Sequence, residues 1–251
     1  MASVFRKEFT VSSYELNPRG EARLTTMANY FQEVAYHHAN ELGFGFDQMK
    51  ERQTLWMLSR MKISMSKYPV WNDTIVVETW PSGIDKLFAT RDFRVSDMSG
   101  NLLGVATTYW LIVNLDTHRP VRPGIELARF SNIVYGDQVF DTKLEKIVIP
   151  EAPEILGKHR VVFSDVDIVG HVNNVKYMEW CIDAAMPEGV TDRAIGELEI
   201  NFLHEALLGN HVVIEGVEDS AGEDVSFKLH AVREEDGQEV IRASIVWAEK
   251  P

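Results

Sequence analysis

Cysteine is nearly absent from this sequence of 251 residues, which contains Cys181 and no other thiol. A single cysteine excludes an intramolecular disulfide, and it cannot form a cysteine-rich zinc site by itself. The sequence therefore implies no metal and no cofactor. Because it lies in an apolar stretch, we interpret Cys181 as a small core residue.

Long apolar runs are absent as well. No segment approaches the roughly 18 consecutive apolar residues of a membrane-spanning helix. The opening residues MASVFRKEFTVSSYEL contain no apolar stretch of signal-peptide length. We therefore expect a cytoplasmic protein with no membrane span.

Positive charge is scarce, since 25 lysines and arginines face 38 aspartates and glutamates, for a formal net charge of −13. A general affinity for nucleic acid would work against this charge, so we expect no nucleic acid partner. Hydrophobic residues make up 45% of the chain and charged residues 25%, which is typical of a globular protein rather than a disordered one.

What the sequence does contain is an internal repeat. The segment LSRMKISMSKYPVWNDTIVVETW, from Leu58, aligns without a gap with IGELEINFLHEALLGNHVVIEGV, from Ile195, at an offset of 137 (195 − 58). Continued over more than fifty positions, this offset places Trp110 on Trp247. Before it, YELNPRGEA aligns with SDVDIVGHV at an offset of 150 that superposes their glycines. We interpret the chain as two copies of one plan.

Each copy reads as a strand, a glycine-containing turn, one helix and then several strands. In TMANYFQEVAYHHANELGF the apolar residues from Met27 to Leu42 recur at helical spacing, and Gly43 is placed to end the helix. VKYMEWCIDAAM is apolar on nearly all sides, which predicts a helix buried on all sides. The runs TIVVETWP, FATRDFRV, GVATTYWLIVNL, HVVIEGVE, VSFKLHAV and EVIRASIVW are strand-like, with hairpin turns such as SDMSGN and REEDGQ. One long helix wrapped by a curled antiparallel sheet is the α+β plan called the hotdog, so we predict a tandem (double) hotdog.

We place the N-terminal hotdog at residues 1–125 and the C-terminal hotdog at 158–251. The segment 126–157 shows little periodicity, and four of the nine prolines lie in or beside it, which is typical of a linker. Single hotdogs pair by dimerising, and the covalent duplication already supplies that pairing. The sequence therefore leaves a homodimer of the whole chain open.

A concentrated polar segment, SDVDIVGHVNN, directly precedes the apolar helix of the second copy. Unpaired N–H groups and the positive end of the helix dipole favour a developing oxyanion at such a helix end. Asp167 is our candidate general base or nucleophile, and His171 our candidate to orient water or stabilise a tetrahedral intermediate. Asn173 and Asn174 can cap the helix or bind the substrate carbonyl, and for Asn174 a simple cap is at least as good an interpretation. Asp165 is more typical of a turn.

The first copy lacks this chemistry. At the positions of Asp167 and His171 it carries Asn17 and Glu21, so only the second copy is equipped for catalysis. We expect the first copy to bind a long apolar group between its helix and its sheet. The candidate lining residues, each also interpretable as ordinary core, are Phe31, Met57 and Met61.

The segments DVDIVGHVNNVKYMEW, WLIVNLDTHRPVRP and NFLHEA together resemble the acyl-acyl carrier protein (acyl-ACP) thioesterases. The resemblance covers nearly the whole chain. GHVNN alone is shared with single-hotdog acyl-CoA thioesterases, and the two-domain length with VNLDTHRP selects this family. The resemblance implies hydrolysis of a fatty acyl thioester on acyl carrier protein, which releases free fatty acid and holo-ACP in fatty acid biosynthesis.

The same resemblance implies a set of catalytic residues. The family's aspartate matches Asp167, its histidine matches His171, and its glutamate matches Glu205 in NFLHEA. Plant members have an asparagine where this chain has Val169 and a cysteine where it has Ala206. A cysteine nucleophile therefore has no support here.

These residues suggest two routes. Asp167, with Glu205 or His171, either activates water or attacks the thioester carbonyl itself, and the sequence does not separate the two. In both routes we expect backbone N–H groups from Gly170 to Val172 to hold the oxyanion, which makes these residues part of the substrate site.

The expected partner is acyl carrier protein with its phosphopantetheine-linked acyl chain. Because carrier protein is acidic, docking on this acidic chain needs a local basic patch. The candidates, also interpretable as ordinary solvated charge, are Arg119, Arg122, Lys158 and Arg160. Two rival functions remain, an acyl-CoA thioesterase and a non-catalytic acyl-binding regulator, although the sequence shows no basic helix-turn-helix segment for the latter.

Overall fold

The computed structural model describes residues 4–124, 139–187, 190, 193–219 and 224–249. The chain divides into two compact units, Met1–Leu144 and Glu145–Pro251. This boundary falls inside the segment predicted as the linker, of which residues 126–138 lie outside the described residues. Among the described residues, no helix is both long enough and apolar enough to span a membrane.

The first unit contains an antiparallel sheet with the strand order β1-β3-β4-β5-β2 and a short β6 paired with β5. A 3-10 turn at Ser13–Glu15 precedes the long helix. The strands are β1 Phe5–Thr10, β2 Thr54–Met65, β3 Thr74–Asp85, β4 Phe88–Asp97, β5 Leu102–Asn114 and β6 Pro120–Val121. Its helices among the described residues are α1 Leu24–Glu41 and α2 Phe46–Glu51.

Helix α1 packs its apolar stripe against the sheet of its own unit. Met27, Phe31 and Val34 are buried, and the Phe31 ring lies 5.0 Å from the Phe93 ring on β4. The helix ends just before Gly43, whose φ of 79° is a conformation that side chains with a Cβ rarely adopt. The helix predicted from the spacing of apolar residues is confirmed.

The second unit repeats this arrangement, with the strand order β8-β11-β10-β9-β7. Its strands are β7 Glu154–Arg160, β8 Arg193–Phe202, β9 His211–Glu218, β10 Val225–Arg233 and β11 Glu239–Glu249. A 3-10 turn at Phe163–Asp165 precedes its helix, α3 Asn174–Ala184. Both units are thus α+β hotdogs, and the predicted tandem fold is confirmed.

Helix α3 is less enclosed than its composition predicts. Its buried residues are Val175, Tyr177, Met178, Trp180 and Cys181. Lys176 and Glu179 form an ion pair of 2.8 Å on a half-buried side, and Asp183 is exposed. The expectation of burial on all sides is therefore wrong for one face, because the few polar residues of the helix share that face.

Part of the predicted linker belongs to the second sheet. The Ile147 N–H donates to Asn201 Oδ1 at 2.8 Å, and Arg242 Nη1 donates to the Ile147 carbonyl at 2.9 Å. Strand β7 already begins at Glu154. Residues before position 158 thus contribute backbone hydrogen bonds to the C-terminal unit.

The repeat is visible in equivalent hydrogen bonds. In the first unit the Asn17 N–H donates to the Glu21 carbonyl at 2.7 Å, and in the second the Asp167 N–H donates to the His171 carbonyl at 2.9 Å. These pairs are related by the offset of 150. The duplication inferred from the sequence is therefore present in the backbone.

One strand of the repeat departs from the ungapped alignment. Phe93 on β4 faces Ala106, whereas Leu229 on β10 faces Ala243, so these strands are related by 136 positions instead of 137. The turn after β10 is one residue longer than the turn after β4, which restores the offset in β11. The ungapped alignment of this strand was wrong by one residue, and a one-residue change of register reverses the face on which side chains lie.

Candidate active site

The polar segment of the second unit forms a tight loop before α3. The Asp167 N–H donates to the His171 carbonyl at 2.9 Å, and the Gly170 N–H donates to the Asp167 carbonyl at 3.0 Å. Gly170 has a φ of 92°, which explains why a glycine occupies this turn. The Asn173 N–H closes the loop on the Asp165 carbonyl at 2.8 Å. The loop is thus fixed by its own backbone.

Asp165 supports this loop from within. It is 5% exposed, and one carboxylate oxygen, Oδ2, accepts hydrogen bonds from the Val162 N–H and from His159 Nε2, both at 2.9 Å. His159 lies on β7, and Val162 immediately precedes the 3-10 turn. The interpretation of Asp165 as a turn residue agrees with this arrangement.

His171 and Glu205, 34 positions apart, are brought together by the fold. His171 Nδ1 lies 3.4 Å from Glu205 Oε2, and both side chains are partly exposed. The Val172 N–H donates to the Ala206 carbonyl at 3.1 Å, which ties the two chain segments side by side. A solvent-accessible imidazole paired with a carboxylate is an arrangement able to accept and return a proton.

Asp167 lies in the same region but does not pair with the imidazole. Its Oδ1 accepts the Val169 N–H at 2.9 Å, and among the described residues no ion pair joins it to His171. Its charge does reach Tyr177. The pKa of Tyr177 is raised to about 12, and burial is the largest cause. The negative charges of Glu205 and Asp167 also raise this pKa, whereas the hydrogen bond from the Ala206 N–H and the charge of Arg233 lower it.

The predicted oxyanion donors need correction. The Gly170 N–H is bound to the Asp167 carbonyl, and the Val172 N–H is bound to the Ala206 carbonyl. Both amides are used to close the loop and to join it to the Glu205 segment, so they are not free to hold an oxyanion. Of the three predicted donors, only the His171 N–H has no hydrogen-bond partner among the described residues.

The helix cap also differs from the expectation. Asn173 is the N-cap of α3, and its Oδ1 accepts the Val175 N–H at 2.9 Å. Asn174 is the first helical residue and is not the cap. Of the two asparagines predicted as caps or carbonyl-binding groups, Asn173 is thus the cap, and its side-chain oxygen is engaged with the helix.

Two further residues hold Glu205 and were missed in the sequence. The Ala206 N–H donates to the Tyr177 hydroxyl oxygen at 2.7 Å, and Arg233 Nη1 donates to the Glu205 carbonyl at 2.6 Å. Tyr177 resembles an ordinary core aromatic on an apolar helix, and Arg233 resembles a solvated charge at the end of a strand. Only the spatial contact identifies them.

Cys181 lies in the core of the second unit. It is 1% exposed, and burial raises the pKa of its thiol well above the ordinary range, as expected of a core residue.

The residues predicted to line the acyl-binding interior of the first unit differ in burial. Phe31 and Met61 are buried, but Met57 is 44% exposed and does not line the helix–sheet interior. Met57 lies next to the irregularity in the β2–β5 pairing between Leu58 and Arg60.

The predicted basic patch is partly neutralised. Lys158 forms an ion pair with Glu234 at 2.8 Å, which reduces the charge that it can offer to a partner. Arg119, Arg122 and Arg160 are exposed.

Sequence and structure comparisons agree on a family. The profile for the acyl-ACP thioesterase N-terminal domain matches residues 2–128, and that for the acyl-ACP thioesterase C-terminal domain matches residues 151–249. A chloroplastic palmitoyl-acyl carrier protein thioesterase of Cuphea hookeriana is 30% identical over 98% of this chain, which spans 63% of that protein. The oleoyl-acyl carrier protein thioesterase 1 of Arabidopsis thaliana, also chloroplastic, is 29% identical over 98% of this chain and 76% of its own length.

Solved structures give the same result. The 12:0-ACP thioesterase from Umbellularia californica superposes with a TM-score of 0.83 at 27% identity, over 98% of both chains. An acyl-ACP thioesterase from Bacteroides thetaiotaomicron shares the fold with a TM-score of 0.86 at 23% identity, over 97% of both chains. With two domain profiles and a common fold over nearly its whole length, the chain belongs to the acyl-ACP thioesterase family.

Proposed function

We propose that this protein hydrolyses fatty acyl thioesters of acyl carrier protein, releasing free fatty acid and holo-ACP in fatty acid biosynthesis. The observation that carries the proposal is the His171–Glu205 pair beside Asp167 in the second unit. Membership of the acyl-ACP thioesterase family supports the substrate class.

The first unit supports the proposal by contrast. Glu21, at the position of His171, forms an ion pair with Arg19 at 3.0 Å. Asn17, at the position of Asp167, accepts the Arg19 and Glu21 N–H groups on Oδ1 at 2.9 and 3.2 Å. Tyr68 occupies the position of Glu205. An amide and a neutral phenol are poor bases near neutral pH, and the Glu21 carboxylate is held in its ion pair with Arg19, so this unit lacks the imidazole that the proposed proton transfer uses.

In the proposed reaction Glu205 holds the His171 ring through Nδ1, which leaves Nε2 to take a proton from water. The oxygen Oδ2 of Asp167, which has no hydrogen bond among the described residues, orients that water. The resulting hydroxide attacks the thioester carbonyl, and the backbone N–H of His171 donates a hydrogen bond to the oxyanion. Collapse of the tetrahedral intermediate breaks the carbon–sulfur bond, and the proton on Nε2 passes to the departing thiolate.

A matched substrate panel tests this function. Purified protein is given the same acyl groups on acyl carrier protein and on coenzyme A, across chain lengths, and both products are quantified. We expect a larger kcat/KM with carrier protein and a loss on the order of 10² to 10⁴ in kcat for His171→Gln, which removes the proposed general base. Preference for coenzyme A would instead support an acyl-CoA thioesterase. Tight acyl binding without turnover would support a regulator.

Carrier docking has its own test. If exposed arginines attract the acidic carrier, kcat/KM for the carrier-bound substrate falls as salt rises, because exposed charges are screened over about 10 Å at 0.1 M salt. The coenzyme A substrate with the same acyl group is the control for general salt effects. An unchanged kcat/KM with the carrier substrate would remove the basic patch from the proposal.

A further inference from the structure

The peptide group that joins Glu205 to Ala206 is held at both of its polar atoms. Its carbonyl oxygen accepts a hydrogen bond from Arg233 Nη1 at 2.6 Å, and its N–H donates to the Tyr177 hydroxyl oxygen at 2.7 Å. The next carbonyl, that of Ala206, accepts the Val172 N–H at 3.1 Å. These contacts fix the backbone from which the Glu205 carboxylate projects.

Both holding groups are themselves held. The Tyr177 ring is 3% exposed and lies 5.1 Å from the Trp180 ring and 6.1 Å from the Phe202 ring. Arg233 donates from Nε to Asp236 Oδ1 at 2.9 Å and from Nη2 to Gln238 Oε1 at 2.6 Å, so its guanidinium plane is set before Nη1 reaches the Glu205 carbonyl. The peptide is thus held between a packed helix and a fixed guanidinium.

The Glu205 carboxylate has little else to position it. It is partly exposed, and among the described residues His171 is its ion-pair partner. At 3.4 Å the pair is near the outer limit of a direct interaction, so a small rotation of the peptide would separate the two groups.

The first unit shows that the fold itself does not require these contacts. The counterpart of Tyr177 is Met27, and the counterpart of Ala206 is Pro69, which has no N–H to satisfy. The Pro69 carbonyl still accepts the Ala22 N–H at 2.8 Å, as the Ala206 carbonyl accepts its own partner. A hotdog can therefore join these two chain segments through the backbone hydrogen bond alone, without a tyrosine hydroxyl. The tyrosine occurs in the unit that has the glutamate.

We infer that Tyr177 and Arg233 are positioning residues that hold Glu205 against His171. The inference rests on the proposed function. It adds to the reaction two residues that touch neither water nor thioester and act through the Glu205–Ala206 peptide.

The test is a double-mutant cycle on the full chain with one acyl-ACP substrate. Tyr177→Phe keeps the ring and removes the hydroxyl, and we expect kcat to fall by about 10-fold to 100-fold with KM changed less than about twofold. In a Glu205→Gln background the same substitution is expected to change the residual kcat by less than about twofold, because no carboxylate remains to be positioned. Arg233→Lys cannot keep the hydrogen bonds to Glu205, Asp236 and Gln238 together. We expect it to lower kcat in the wild-type background and to leave the residual kcat nearly unchanged in the Glu205→Gln background.

The control variant is Tyr30→Phe in the first unit. Tyr30 is also a buried helical tyrosine, and its hydroxyl donates to Glu15 Oε2 at 2.9 Å. Its loss is expected to lower the melting temperature while kcat stays within about twofold. Melting curves for every variant separate lost folding from lost turnover.

The outcomes separate the two proposals. Wild-type kcat in Tyr177→Phe, or an equal loss in the wild-type and Glu205→Gln backgrounds, would overturn the positioning role. If Glu205→Gln itself keeps full activity, the proposed active site is wrong and the positioning role falls with it. A fully active Tyr177→Phe beside an inactive Glu205→Gln would leave the proposed function intact and reject this inference alone.

Discussion

Nδ1 of His171 lies 3.4 Å from Oε2 of Glu205, and the first unit carries no histidine at the corresponding position. There Glu21 and Tyr68 occupy the two positions, and Glu21 forms an ion pair with Arg19. Two loops with the same backbone hydrogen bonds thus carry different chemistry. The difference between them is confined to side chains, which is why one unit of a duplicated fold can lose proton transfer without losing its structure.

The cap of α3 predicts a stability effect. Asn173→Ala removes the acceptor of the Val175 N–H, and we expect the free energy of unfolding to fall by about 1 kcal/mol. Asn174→Ala is the matched control, since alanine is favourable inside a helix, and it should cost less than about 0.5 kcal/mol. Urea denaturation measures both. Unchanged stability with reduced turnover in Asn173→Ala would instead favour the substrate-binding role.

Burial of the only cysteine predicts its reactivity. Because burial raises the pKa of the Cys181 thiol, the thiolate is scarce at pH 8 and the side chain is also inaccessible. We expect no labelling by a thiol reagent in the native protein and one label per chain after denaturation. Rapid native labelling accompanied by loss of activity would mean that the thiol lies at the active site.

The contact between Arg233 and Asp236 predicts a dependence on pH. The hydrogen bonds from Arg233 lower the pKa of Asp236 from 3.8 to about 2. A carboxyl whose pKa is lower in the folded state stabilises the protein above pH 4, and that contribution is lost as the pH falls toward 2. NMR titration of the Asp236 carboxyl should show a midpoint near 2 in the wild type. A midpoint near 4 would show that the contact does not form in solution.

Several features could be predicted because they depend on local patterns. The stripe from Met27 to Val34 predicts α1, and Gly170 marks a turn that needs a positive φ. The duplication is visible because turns and tryptophans recur at fixed offsets. Asn173 and Asn174 are adjacent and chemically identical, so spacing alone cannot decide which of them caps the helix.

Other features depend on contacts between distant segments, which no local pattern encodes. The one-residue difference in offset between β4 and β10 cannot be seen in the sequence, because the longer turn after β10 restores the offset of 137 before β11. The amides of Gly170 and Val172 are consumed by carbonyls, one of which lies 34 residues away in Ala206. The role of Tyr177 likewise depends on a backbone N–H that only the folded chain brings to it.

The most direct test of the account is the kcat for acyl-ACP hydrolysis in a matched pair of variants, Glu205→Gln in the second unit and Glu21→Gln in the first. Each removes one carboxylate charge, Glu205 from the pair with His171 and Glu21 from the position that corresponds to His171, and melting curves confirm folding. We predict that Glu205→Gln lowers kcat by at least about 10²-fold, while Glu21→Gln stays within about twofold of the wild type. Equal activities in the two variants, or a larger loss in Glu21→Gln, would contradict the assignment of catalysis to the second unit.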